Sequence, residues 1–238
     1  MRLKTALEYL FVFTFLISAG CAGLPPIVCP DNSAVLDKQS FSRELNTLFP
    51  TDSFQFVHAI ELTMAGNHSA MLMGVVNIHP RHRAIHCVIM TLEGLVLFEA
   101  DHTAEAFTIH RAIPPFDSQA LARGLVSDIE LIFFTPRGRL DAWGTLENKN
   151  TILRFSEPDG GTIDIVISAD RTIWTQNLRT GSHRIKRWVK YIFPKATTNR
   201  RSPVFPKSIT LTAAFPSRYT LTMTLTDANL ISNTQPLR

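Results

Sequence analysis

Short apolar or alternating segments, separated by turn-forming residues, occupy the sequence from residue 54 to residue 112. Segments of this length and pattern predict β-strands, because successive side chains of a strand point to opposite faces. We predict five strands here, at Phe54–Ala65, Ala70–His79, Ala84–Thr91, Leu95–Asp101 and Ala106–Arg111. The turns between them are too short for a parallel crossover, which needs a dozen or more residues. The pattern therefore predicts antiparallel neighbours.

The rest of the chain adds helices and further strands. Apolar residues recur at helical spacing from Leu121 to Phe133, after a capping residue at Asp117 or Ser118 and before Pro136. A shorter amphipathic helix is predicted from about Asp37 to Phe49. Further strands are predicted at Ile152–Ser156, Thr162–Ser168, Thr172–Asn177, Ser208–Ala214 and Tyr219–Asp227. Because strands follow strands without βαβ alternation, we predict an α+β fold, mainly β, with an antiparallel sheet curled over one or two helices.

The first 21 residues have the three-part order of a secretory signal. Arg2 and Lys4 precede an apolar run from Leu10 to Ile17, and the small residues Ser18-Ala19-Gly20 then lead to Cys21. The apolar run is about eight residues long, whereas a membrane-spanning helix needs roughly 20. We therefore predict that residues 1–20 form a signal peptide that is removed.

The segment from Ile17 to Cys21 resembles the lipobox of bacterial lipoproteins. That resemblance implies lipidation of Cys21, with palmitate among the acyl groups, and Ala22 after the cysteine implies the outer membrane. An ordinary signal peptide followed by an incidental cysteine is the alternative. Residues 21–36 contain three prolines and no strand or helix period, so we predict a lipidated tether.

Charge is distributed unevenly along the chain, although the formal net charge is only +4. Residues 21–170 hold 10 basic and 18 acidic side chains, whereas residues 171–238 hold 12 basic and one acidic side chain. The nine basic residues between Arg179 and Lys207 are interleaved with aromatic residues and no acid. A secreted protein meets no nucleic acid, so anionic lipid headgroups or an acidic partner are the predicted contact.

The predicted contact residues in this basic segment are Arg184, Lys186, Arg187, Trp188, Lys190 and Tyr191. A long solvated loop whose aromatic side chains reach back to the core is the alternative.

No motif in the sequence indicates catalysis or a cofactor. His79, His82, His86 and Cys87 have zinc-binding side chains, but Arg81 and Arg83 would place two positive charges in such a site. No G-x-S-x-G, phosphate-binding glycine motif or C-x-x-C pair is present. We predict no enzyme activity, no metal and no cofactor. Two alternatives remain for Cys87: it forms a disulfide bond with Cys29, or it packs as a small apolar residue.

Several of these segments together resemble the LolA/LolB-like lipoproteins. The resemblance lies in the lipidation cysteine, Thr91–Phe98, a helix ending in Asp128–Leu131 and a closing pair of Thr-rich strands, and it covers roughly residues 69–231. Within this group, the sequence resembles in particular an uncharacterised outer-membrane lipoprotein family associated with aryl-polyene gene clusters. The resemblance implies an unclosed β-barrel over residues 37–231, with a hydrophobic cavity on its concave face and a tail at 232–238.

The expected function is therefore binding of a lipid or other hydrophobic molecule by a membrane-anchored periplasmic lipoprotein, for transport to or retention at the outer membrane. A non-catalytic scaffold of an envelope export or biosynthesis complex is the alternative. The inward members of three strand segments are the candidate lining residues: Leu95, Leu97, Ile163, Ile165, Ile167, Leu221, Met223 and Leu225. The sequence does not indicate which face of the sheet is concave.

Overall fold

The computed structural model describes residues 23–28, 45, 49–64, 66, 68–195, 204–214 and 218–232. Its strands are β1 (Phe54–Met64), β2 (His68–His79), β3 (Ala84–Thr91), β4 (Val96–His102), β5 (Phe107–Ala112), β6 (Arg139–Thr145), β7 (Thr151–Ser156), β8 (Thr162–Ile167), β9 (Ile173–Arg179), β10 (Ile185–Ile192), β11 (Ser208–Ala213) and β12 (Tyr219–Leu230). One α-helix, α1 (Gln119–Phe133), and a 3-10 turn at Pro80–His82 complete the elements assigned in the described part of the chain. The predicted signal peptide and Cys21 lie outside the described residues.

All twelve strands form a single antiparallel sheet in the order β5-β4-β3-β2-β1-β12-β11-β10-β9-β8-β7-β6. Strand β12 pairs with β1 and so joins the two halves of the chain, with Phe54 opposite Leu230 and Met64 opposite Tyr219. The edge strands β5 and β6 do not pair with each other, and the sheet is open. The predicted mainly β fold with an unclosed antiparallel sheet is confirmed.

Alternation along the strands separates an inner face, covered by α1, from an outer face. In β1 the side chains of Phe54, Phe56, His58 and Ile60 are buried and their neighbours are partly exposed. The stacked rings of Phe56 and Phe133, with centroids 5.1 Å apart, show that this face packs against the carboxyl end of α1. Burial of such side chains is the main favourable term in folding.

Two strands of the sheet were not predicted from the sequence. Strand β6 carries charged and small residues and lies at the sheet edge, where burial imposes only a weak hydrophobic pattern. Strand β10 lies inside the basic segment that we expected to contact a membrane or to form a loop. Its inward residues Arg187, Val189 and Tyr191 include a charge and a phenol, so the strand lacks an apolar alternation. The structure corrects the loop interpretation of residues 185–192.

Residues 23–28, which we predicted as part of a tether without secondary structure, lie against the sheet. Val28 exchanges two backbone hydrogen bonds with Thr145 of β6, at 2.8 and 3.1 Å. Arg154 also donates to the Pro25 carbonyl at 3.2 Å. A methyl group at Gly144 would lie 2.7 Å from the Ile27 side chain, so only glycine permits this close approach. The segment therefore covers the β6 edge, and the rest of the tether lies outside the described residues.

The predicted helix at Asp37–Phe49 falls almost entirely on residues that the structure does not describe. Of the described residues in this range, Leu45 is helical, and its carbonyl accepts a hydrogen bond from the Phe49 N–H at 3.1 Å, the i to i−4 bond of an α-helix. No helix in the described ranges is both long enough and apolar enough to cross a membrane.

Candidate functional site

An apolar cavity, called cavity 1 below, lies between α1 and the inner face of β1–β4 and β12. Its volume is about 100 Å³. Among the described lining residues, His58, Asp128 and Tyr219 have polar side chains, and most of the rest are apolar. Representative apolar lining residues are Ile60, Leu72, Val76, Leu121, Leu125 and Met223. Apolar surface that folding leaves uncovered in this way is available to a hydrophobic ligand.

A second and larger cavity, cavity 2, adjoins the first. Its volume is about 400 Å³, which lies within the range of small-molecule sites. Aromatic and aliphatic side chains form most of its wall, and Thr51 and Asp52 lie among them. Representative lining residues are Phe54, Phe56, Tyr191, Phe205, Ile209 and Leu225.

Cavities 1 and 2 share a wall formed by His58, Ile132 and Phe133. The His58 side chain is only 4% exposed, and its ring centroid lies 6.0 Å from that of Phe133. Burial lowers the pKa of His58 from 6.5 to about 4, because the charged imidazolium loses its hydration. The ring is therefore neutral at neutral pH, and it lies at the junction of the two cavities.

A buried polar cluster borders cavity 1 at Asp128. The Arg187 Nε donates to an Asp128 oxygen at 2.8 Å, and the Tyr219 hydroxyl donates to the other oxygen. Burial raises the pKa of Asp128, an effect that Arg187 and the Tyr219 hydrogen bond partly offset. Because Asp128 belongs to α1 while its partners belong to β10 and β12, the cluster holds the helix on the sheet.

Comparison with solved structures identifies the same architecture elsewhere. A LolA superfamily protein from Nitrosomonas europaea aligns over 82% of this chain and 93% of its own, with a TM-score of 0.56 and 14% identity. This chain has a LolA-like fold. An outer membrane lipoprotein-sorting protein domain from Vibrio parahaemolyticus, described as putative, aligns over 82% of this chain and 93% of its own, with a TM-score of 0.45 and 7% identity. No family model and no curated protein sequence matches the chain.

Some of the predicted lining residues of the LolA-like cavity border it and others do not. Leu221 and Met223 line cavity 1, and Leu225 lines cavity 2. Leu95 is 50% exposed in the turn between β3 and β4, and Leu97 packs against the core. The predicted β8 residues Ile163, Ile165 and Ile167 are buried within the core of the other half of the sheet. Of the three candidate segments, the one on β12 therefore supplies the residues that border the two cavities.

The prediction missed the lining residues on β1, β2 and α1, among them His58 and Gly74. The alternation of Phe54, Phe56, His58 and Ile60 was a usable signal, since it places an imidazole in line with apolar inward residues. Nothing in the sequence distinguishes the half of the sheet that keeps a cavity.

The predicted membrane-contact residues occupy three different environments. Arg187 pairs with Asp128, and the Tyr191 hydroxyl donates to Gln176 at 2.8 Å inside the core, so neither is available to a membrane. Arg184 and Lys186 are exposed. Trp188 and Lys190 alternate with Tyr191 on β10, which places them on the outer face, where they are partly exposed.

The histidine and cysteine residues between His79 and Cys87 do not converge. His79 Nδ1 lies 2.9 Å from the Ser53 hydroxyl, whereas His86 Nδ1 lies 2.7 Å from an Asp101 oxygen. Within the described ranges no group of three His, Cys, Asp or Glu side chains is arranged to hold a metal ion. Cys87 is a buried free thiol whose pKa is raised by burial to about 12. Cys29, its possible partner, lies outside the described residues.

Proposed function

We propose that this protein is a periplasmic lipoprotein that holds a lipid or other hydrophobic molecule for transport to, or retention at, the outer membrane. The observation that carries the proposal is the pair of adjoining cavities between the inner face of the sheet and α1. The fold of the Nitrosomonas LolA superfamily protein is the second support.

Binding in this site is a transfer from water to an apolar environment, without bond making. Removal of apolar surface from water is favourable by roughly 25 cal/mol of free energy per Å². The cavity 1 wall contains Leu62 and Leu221, which are only partly buried. A hydrocarbon chain in contact with them would therefore gain affinity and stabilise the fold, since a ligand that binds only the folded state shifts the unfolding equilibrium.

The anchor is the second part of the proposal. The sequence order of charge, apolar run, small residues and Cys21 supports acylation of that cysteine. Gly23, where the described structure begins, is two residues further on, a span of at most about 7 Å. Acyl chains on Cys21 would therefore place the β6 edge, where residues 23–28 dock, close to the membrane surface. We also propose domain limits at residues 21, 37 and 231 and an association with aryl-polyene gene clusters.

Exposed apolar residues favour a second candidate function, a scaffold that docks an envelope export or biosynthesis complex. Met71 and Leu92 are each more than half exposed. They flank the paired residues Leu72 and Thr91 and so lie at one end of the sheet. In this alternative the cavities would hold no ligand, and the exposed apolar end would be the functional surface.

Native mass spectrometry after mild purification separates the two functions. We expect a co-purifying hydrophobic molecule that organic extraction removes. A ligand-free protein that also fails to bind fluorescent fatty acids would contradict the carrier function and favour the scaffold. For the anchor, Cys21→Ser should move the protein from the membrane fraction to the soluble periplasmic fraction, and an unchanged distribution would refute acylation.

A further inference from the structure

His58 has a polar side chain at the junction of the two apolar cavities. We propose that the bound ligand carries an uncharged hydrogen-bonding group, of the ester, amide or hydroxyl class, and that His58 binds this group. The inference rests on the proposed ligand-binding function and adds the chemistry of its ligand. A bare hydrocarbon would fill the same space without using the imidazole.

The His58 ring makes no hydrogen bond to any residue that the structure describes. Its neighbours are the aromatic rings of Phe56 and Phe133, with centroids 6.2 and 6.0 Å away. The side chain is 4% exposed and lines both cavities. Its ring nitrogens are not among the fully enclosed, unpaired side-chain atoms of the described residues, so they can be reached from the cavities. A ligand group at this junction would bond to them in place of water.

The backbone around His58 leaves room for that group. The pairing of β1 with β12 changes register between Val57 and His58, and such bulges re-aim side chains next to binding sites. On the other side His58 lies opposite Gly74 of β2, which also lines cavity 1. A methyl group at Gly74 would lie 2.5 Å from Ile60 Cδ1, so a side chain here would displace Ile60 in the wall of cavity 1. A glycine inside a strand often marks the close approach of a ligand.

The charges around the two cavities select against an anionic ligand. Among the residues that the structure describes, no lysine or arginine lines either cavity, whereas Asp128, which is paired with Arg187, borders cavity 1 and Asp52 borders cavity 2. A neutral imidazole donates through one ring nitrogen and accepts through the other. It therefore suits an ester or amide carbonyl or a hydroxyl, while a carboxylate would lose its hydration without gaining a cation.

Displacement of a hydrocarbon probe tests the inference. The fluorescent hydrocarbon diphenylhexatriene has no hydrogen-bonding group, so its binding reports the apolar site alone. Decane, methyl decanoate and, at pH 8, decanoate would each displace it from the wild-type protein, from His58→Phe and from His58→Gln. Val57→Phe, a substitution at the next residue on the opposite face, is the matched control.

We expect His58→Phe to weaken methyl decanoate about tenfold, the effect of one buried hydrogen bond, and to change decane by less than twofold. His58→Gln should retain part of the ester affinity, Val57→Phe all of it, and decanoate should bind wild type more weakly than the ester. Equal losses for ester and alkane, or no loss for either, would overturn the inference while the carrier function stands. No probe binding to wild type would contradict the carrier function itself.

Wild-type protein provides a second test that needs no variant. The imidazole nitrogen resonances of His58 should shift on addition of methyl decanoate and should respond much less to decane. Resonances that respond equally to the two compounds would overturn the role of His58.

Discussion

The two halves of the sheet have the same strand geometry but differ in how completely side chains fill their inner faces. Strands β1–β4 and β12 keep open space beneath α1, with Gly74 and the partly buried Leu62 and Leu221 along its wall. In the half formed by β7–β11, Tyr191 and Ile209 reach the wall of cavity 2, and large side chains fill the rest of the inner face, among them Leu153, Phe155, Ile165, Trp174, Val189 and Leu211. Protein interiors are normally packed as densely as organic crystals. Packing in the filled half therefore compensates for the stability that is lost in the half with the cavity.

Buried carboxylates show the same contrast. Asp164 of the filled half is fully buried, receives two hydrogen bonds from Arg154 at 2.6 and 3.0 Å, and has Arg179 3.8 Å away. Asp128 of the half with the cavity has one arginine and one tyrosine hydroxyl as partners, and it borders open space. The first carboxylate belongs to a closed structural network, while the second lies where a ligand would approach.

Removal of the Asp164 carboxylate should give the largest loss of stability. Asp164→Ala leaves Arg154 and Arg179 nearly buried without a counter-charge, and breaking such a pair costs about 3–5 kcal/mol. Urea unfolding of wild type and variant measures the difference. Arg139→Ala removes the exposed Arg139–Asp141 pair and should leave the free energy of unfolding nearly unchanged. Equal effects of the two substitutions would contradict the burial and pairing of Asp164.

Truncation of core side chains should give the next largest loss of stability, and the loss should differ between the two halves. Ile165→Ala deletes a side chain that is 2% exposed in the filled half and should lower the free energy of unfolding by about 2–5 kcal/mol. Leu221→Ala removes a partly buried side chain beside cavity 1, where less contact is lost, and should cost about 1–2 kcal/mol. Chemical denaturation checks both values, and a larger loss for Leu221→Ala would mean that cavity 1 is closed in solution.

Acidification should lower the free energy of unfolding, because His58 in the half with the cavity takes up a proton more readily in the unfolded chain. Its pKa falls from 6.5 in the unfolded chain to about 4 in the folded protein, so only the unfolded chain takes up this proton between those pH values. The free energy of unfolding therefore falls as pH drops from 6.5 to 4, with about 3 kcal/mol due to His58. His58→Phe should remove this part of the pH dependence in urea titrations. An identical slope in the variant would show that the imidazole is not buried.

The sequence predicted most of the strands because their inward residues alternate with polar ones, as Phe54, Phe56 and Ile60 do in β1. It failed at β10 because the inward Arg187 is acceptable only beside Asp128, a partner 59 positions away that no local pattern indicates. Residues 23–28 can dock on β6 because Gly144 has no side chain. The sequence does not reveal this role, since the two segments come together only in the folded structure. Likewise, Leu221 and Ile165 are both inward residues of alternating strands, and only the tertiary packing decides which borders a cavity.

Thiol reactivity should give the smallest effect and reports on the wall of cavity 1. In a Cys21→Ser background, Ellman's reagent should label at most one thiol in the folded protein, because Cys87 is buried and its pKa is about 12. Denaturation in urea should then expose a second thiol. Two reactive thiols in the folded state would contradict the burial of Cys87, and none in urea would show that Cys29 and Cys87 are paired.

In the proposed function cavity 1 binds a hydrophobic ligand, and two adjacent residues of β12 provide a direct test of that claim. Leu221→Trp places an indole in cavity 1, whereas Thr222→Trp places the same group on the outer face, since neighbouring strand residues point to opposite sides. Titration with diphenylhexatriene should show at least a tenfold loss of affinity for Leu221→Trp and wild-type affinity for Thr222→Trp, with both variants folded by circular dichroism. Equal affinities in the two variants would contradict the claim.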